Sequence, residues 1–85
     1  MGSPYKAIAD ESRRKILTIL SKEDASAGEI ASQFNISQPT VSNHLKILKE
    51  ADLIRERKHK QNRIYSLNRA KLNKVIEFLQ DIAKK

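Results

Sequence analysis

The sequence predicts a mostly helical domain carrying one small β-hairpin, in the order α-α-α-α-β-β-α. Three observations lead there. Apolar residues recur at helical spacing in four stretches, 12–22, 26–34, 38–51 and 69 onward. Two of those stretches are joined by only Asn35-Ile36-Ser37. Between residues 53 and 67 the pattern shifts to that of strands, with charges alternating around Ile54, Ile64 and Tyr65.

Eighty-five residues make a single domain, 1–85, too short for two independent cores. With two glycines and two prolines, connections are short and no linker or repeat interrupts the chain. Cysteine is absent, which removes disulfides, thiol catalysis and thiolate metal sites and fits a cytoplasmic protein. No apolar run approaches the ~20 residues of a membrane span, and no signal-peptide pattern opens the chain. Residues 1–4 have the look of a cloning remnant and are given no weight.

Taken in order, Tyr5 and Ile8 supply apolar positions near the start. Ser12 to about Lys22 then places Ile16, Leu17 and Leu20 on one face, with Asp10, Glu11 or Ser12 available as a cap. SKEDAS breaks that pattern. The next helix opens at Ser26, where Ser26 and Glu29 match the capping box, and it buries Ala27, Ile30, Ala31 and Phe34. It stops at Asn35, which tolerates left-handed backbone. Ser37 caps the following helix, Pro39 sits in its first turn at no cost in hydrogen bonds, and Val41, Leu45 and Leu48 recur at i, i+4, i+7. Residues 26–51 therefore have helix-turn-helix spacing, with Ile36 plugging the corner. LIRERKHKQNRIYSL, residues 53–67, reads as a hairpin with a basic tip, a wing, in which Asn62 is the expected residue of positive φ. The last helix, 70–84, carries Leu72, Val75, Ile76, Phe78, Leu79 and Ile82 over an arc wider than the ~100° stripe of an ordinary surface helix. A small domain cannot easily cover so wide an arc. The expected explanation is a homodimer interface formed by these six residues with Tyr5 and Ile8; a helix sunk deeply in its own domain would be the alternative.

The net charge of +7 is unevenly placed. Residues 1–34 are neutral overall, whereas residues 35–63 hold seven basic side chains against three acidic ones. Such a distribution favours a polyanion as partner. Within it lies SQPTVSNHLK, residues 37–46, a polar helix start held down only by Val41 and Leu45. An α-helix fits the major groove of B-DNA, where Asn and Gln bond adenine and Ser and Thr reach base edges. Standing alone, such a face would be an ordinary solvated one; after a three-residue turn and before a basic hairpin it reads as a DNA reader. The expected contacts are Ser37, Gln38, Pro39, Thr40, Ser42, Asn43, His44 and Lys46 on the helix. On the wing they are Arg57, Lys58, His59, Lys60, Gln61, Asn62, Arg63 and Tyr65, which suit phosphates and the minor groove. Arg55 has an equally good reading as an edge-strand charge that discourages aggregation.

AIADESRRKILTIL, AGEIASQF, ISQPTVSNHLKILKEADLI and the closing RIYSL resemble the ArsR family of bacterial winged-helix repressors, over roughly residues 5–68. The resemblance implies a homodimeric repressor whose first and last helices form the interface and whose fourth helix reads operator DNA. It also places Gln38, Thr40, Ser42, Asn43 and His44 against DNA and Lys60 and Arg63 in the wing. Many members sense metals, through cysteines on the helix before the recognition helix or through Asp and His on the last helix. Here there is no cysteine, and residues 70–85 contain Glu77 and Asp81 but no histidine. Two carboxylates fall far short of the 6–8 oxygens of a Ca²⁺ shell. A metal-independent member is expected, with no cofactor, released by a protein partner or repressing its own operon.

No nucleophile with an orienting group and no phosphate loop argues for an enzyme. A winged helix used as a protein-interaction or non-specific nucleic-acid module is the competing reading. The few aromatic side chains and the polar recognition helix favour duplex DNA instead. A nucleoid-associated cytoplasmic location follows as an expectation.

Overall fold

The structure is a computed structural model that describes residues 2–84. Five helices and a three-stranded antiparallel sheet follow in the order α1 (Pro4–Ile8), α2 (Glu11–Lys22), β1 (Ala25–Ser26), α3 (Ala27–Phe34), α4 (Gln38–Glu50), β2 (Ile54–His59), β3 (Asn62–Leu67) and α5 (Arg69–Ala83). This is the expected winged helix-turn-helix.

Side chains at the helix starts satisfy amides that would otherwise be orphaned. Ser3, Asp10, Ser37 and Asn68 each accept from the backbone three residues on. Ser26 and Glu29 form both bonds of the capping box, at 3.2 and 2.8 Å. Asn35 closes α3 in the left-handed region, φ 53° and ψ 40°. At the end of α4, Asp52 takes φ 63° while its N–H reaches the Lys49 carbonyl at 2.9 Å and the Leu53 N–H reaches Leu48 at 3.1 Å. That pair of bonds is the Schellman pattern, and buried Leu53 and Leu48 supply its apolar contact.

The core lies where α2, α3 and α4 meet the base of the sheet. Ile16, Leu20, Ile30, Val41, Leu45, Leu48, Leu53 and Ile54 are fully buried. Each contributes about 1.5–3 kcal/mol of burial against the chain entropy. Ile36 packs against this cluster at the corner between α3 and α4.

Several local expectations change. β1 pairs with β3, Ala25 opposite Tyr65 and Ser26 opposite Ile64, so the sheet has three strands in the order β1-β3-β2. Two residues are too few to show a strand period, and only the neighbouring strand reveals them. The positive φ in the hairpin falls on Lys60, at 59°, rather than on Asn62. The register pairs His59 with Asn62, leaving Lys60 and Gln61 as the loop and Asn62 in the strand. Residues 2–4 also take part in the fold: the Gly2 N–H reaches the Glu50 carbonyl at 3.2 Å, Ser3 caps α1 and Pro4 opens it.

The last helix is only lightly attached. Val75 is 5% exposed and sits in the protomer's own core, so it leaves the set assigned to a dimer face; Leu72 and Ile8 are half-buried against that core. Tyr5, Ile76, Phe78, Leu79 and Ile82 remain 44–54% exposed, with the Tyr5 and Phe78 ring centroids 5.4 Å apart.

Candidate nucleic-acid interface

The two faces of α4 differ sharply. Val41, Leu45 and Leu48 turn inward, while Gln38, Pro39, Thr40, Ser42, Asn43 and Lys46 are exposed. Ser37 is exposed too, but its hydroxyl is engaged, accepting from the Thr40 N–H at 3.3 Å and lying 2.8 Å from the Thr40 hydroxyl. That leaves Gln38, Ser42, Asn43 and Lys46 as the freer polar groups. Gln38 lies over the first turn of α3, its Oε1 3.5 Å from where a Cβ on Gly28 would stand. His44 differs from the rest. It is half-buried, and its Nδ1 is 3.3 Å from the Arg13 guanidinium of α2.

The wing divides into a free tip and a tied stem. Lys58, His59, Lys60, Gln61 and Asn62 are exposed. Arg57 pairs with Asp24 at 2.9 Å, and Arg63 pairs with Glu56 at 3.3 Å. Tyr65 is half-buried and its hydroxyl donates to Glu56 at 3.2 Å. Glu56 also takes the Lys49 ammonium from the last turn of α4, with its side chain only 11% exposed. The Lys49 hydrogen bond, more than any other contact, holds the Glu56 carboxyl below the usual carboxylate range, with the Tyr65 hydroxyl helping. Burial first, and then Glu56 beside it, push the Tyr65 phenol upward, away from ionisation. Across the ladder Lys58 faces Arg63 directly. Like charges so placed are unfavourable, and here the Glu56 carboxylate offsets Arg63 and, among the described residues, leaves Lys58 as the uncommitted cation of the two.

Between the wing and the starts of α3 and α4 runs an open cleft of about 510 Å³, lined by Ser26, Gly28, Gln38, Ser42, Asn62, Arg63 and Tyr65 among others. The polar helix start and the cationic ribbon therefore border one continuous surface, as a groove-reading element and a backbone clamp require.

Sequence reasoning passed over the groups that aim these residues. Glu56 is the only acid in residues 53–67, which was the available clue. Arg13 gave none, since its partner lies 31 positions away.

The arsR family of bacterial regulatory proteins matches residues 10–56, from the cap of α2 into β2. The chain belongs to the ArsR family. As an ArsR-family protein it is a DNA-binding transcriptional regulator and not an enzyme. The chain is 44% identical to the transcriptional repressor SdpR of Bacillus subtilis over its whole length and 94% of that protein. It is 38% identical to an arsenical resistance operon repressor of Staphylococcus aureus, over 96% of the chain and 79% of that protein. Among solved structures, an ArsR-like transcriptional regulator from Rhodococcus superposes with a TM-score of 0.88 at 31% identity, covering 94% of this chain and 73% of that one. The repressor function expected from this ArsR-family sequence agrees with the names of those two repressors.

Proposed function

We propose that the protein represses transcription as a homodimer on an inverted-repeat operator, one α4 in the major groove of each half-site and one wing on the adjoining backbone. The observation that carries this is the polarity of α4: three residues lock it into the core while Gln38, Ser42, Asn43 and Lys46 face outward beside a cationic ribbon. Exposed Lys58 and Lys60 at the wing tip add support, because among the described residues neither is held in an ion pair and both suit a phosphate. Dimerisation is supported by the row Tyr5, Ile76, Phe78, Leu79 and Ile82, which a twofold-related copy would bury. Half-site centres then stand about one helical turn apart, ~34 Å. Metal independence is supported by the absence of cysteine and of any histidine on α5.

Titration of the protein against two duplexes, the DNA upstream of its own gene and a scrambled sequence, at two salt concentrations tests this. The upstream duplex is expected to bind at least ~10³-fold more tightly, with affinity falling steeply as salt rises. Equal binding to both, persisting after selection from random sequences, would establish a non-specific DNA coat. Binding to neither would favour a protein-interaction module.

A further inference from the structure

Arg13 lies at the junction of three helices. Its Nε donates to the Ala7 carbonyl at 2.7 Å and its Nη2 to the Lys6 carbonyl at 3.3 Å, both at the end of α1. Its Nη1 lies 3.3 Å from His44 Nδ1 on the recognition helix. Its own backbone N–H is held by the Asp10 carboxylate at 3.0 Å. Two carbonyls of α1 thus hold the guanidinium, which meets the imidazole with its remaining nitrogen.

A guanidinium has only donors and stays protonated. The nitrogen it meets must be the acceptor, which leaves His44 Nδ1 bare and puts the proton of the neutral ring on Nε2. Among the described residues Nε2 has no protein partner, and it is not a buried unsatisfied atom. His44 is half-buried on the flank of α4, next to the freer Asn43, so the ring borders the exposed face of the helix with its second nitrogen uncommitted to the protein.

We propose that Arg13 is a positioning residue for DNA binding: it holds His44 as the Nε2–H tautomer, so that the ring donates to a backbone phosphate of the operator. This rests on the DNA-binding reading above. His44 flanks α4 rather than pointing from its centre, a position that suits the sugar-phosphate backbone better than a base edge. The same guanidinium grips the end of α1, whose Tyr5 ring meets Phe78 of α5 in a tilted pair, so His44 is braced through Arg13 by the helix pair assigned to dimerisation.

Nitrogen-15 NMR of the histidine rings in the free wild-type protein at neutral pH is the first test. His44 is expected to carry its proton on Nε2; a proton on Nδ1, or an even mixture, would overturn the proposal. The second test is a double-mutant cycle of Arg13→Gln with His44→Gln, read by fluorescence anisotropy on a duplex selected by the wild-type protein and on a scrambled one. A glutamine amide places an N–H close to the position of Nε2–H without needing a guanidinium. Arg13→Gln alone is expected to weaken both duplexes about tenfold. In the His44→Gln background the same change is expected to leave affinity nearly unaltered, although it lowers thermal stability in both backgrounds. An equal affinity loss in both backgrounds would mean that Arg13 acts only on the fold. A loss confined to the selected duplex would overturn the phosphate assignment. Failure of the wild-type protein to select any duplex from random sequences would instead remove the DNA reading beneath the proposal.

Discussion

Glu56 is the single carboxylate on a hairpin of cations, and it bonds Lys49, Arg63 and Tyr65 at once. Its pKa is depressed in the fold, so its stabilisation is present above the ordinary glutamate pKa and is lost as pH falls through the lower folded value. Glu56→Gln is expected to lower stability at neutral pH and above, where the carboxylate acts, and so to flatten the loss on the acid side, with little change at the acid extreme. Urea midpoints at pH 7 and near pH 4 for both proteins check this, and an unchanged acid loss would show that Glu56 is not its source. At the reading face, Asn43→Ala is expected to cost ~1–3 kcal/mol on the preferred duplex and little on a scrambled one. Lys60→Ala, at the wing tip, is expected to weaken all duplexes alike and to lower the salt slope by about one. Anisotropy titrations on both duplexes separate the two patterns. The outward polar groups of α4 and the cations of the tip were legible because they follow from helical spacing and composition. The roles of Glu56 and Arg13 were not: the first depends on strand register, which sets Glu56 opposite Tyr65, and the second on how α1, α2 and α4 converge.

At the scale of elements, α4 and α5 are both amphipathic but are served differently by their surroundings. Val41, Leu45 and Leu48 of α4 are fully buried within the protomer, whereas α5 sends only Val75 deep into the core and leaves a row of large apolar side chains in solvent. Leu79→Glu is expected to leave the helical circular dichroism nearly intact while converting a dimer to a monomer in sedimentation velocity. Operator affinity should fall with it, since each protomer then holds one half-site alone. A variant that stays dimeric would place the interface elsewhere. The helix boundaries were readable from Ser26, Glu29, Asn35 and Ser37, whose caps act locally. β1 was not, because its only support is the edge of β3, some forty positions away.

Considered whole, the molecule measures 47 × 25 × 24 Å, with a radius of gyration of 13.2 Å against about 12 Å expected for a compact chain of this length. A chain so small and elongated has little core of its own, and an association that covers α5 stabilises it by mass action. Its melting temperature is expected to rise with protein concentration, by several degrees over a hundredfold range, in differential scanning calorimetry. A constant value would mean that the protomer is stable unaided.

Asn68 caps α5 while its Nδ2 holds the Asp52 carbonyl at 2.8 Å and its N–H the Leu53 carbonyl at 2.9 Å. One buried side chain thus splices the end of the recognition helix to the start of the helix assigned to the partner contact. In the proposed dimer, a splice of this kind would make the two reading helices a caliper with fixed jaws. Adding one base pair between the half-sites turns one against the other by about a tenth of a helical turn. A rigid caliper has no hinge to absorb that rotation, so such an insertion is expected to lower affinity steeply, and Asn68→Ala to soften the penalty even as it weakens the best site.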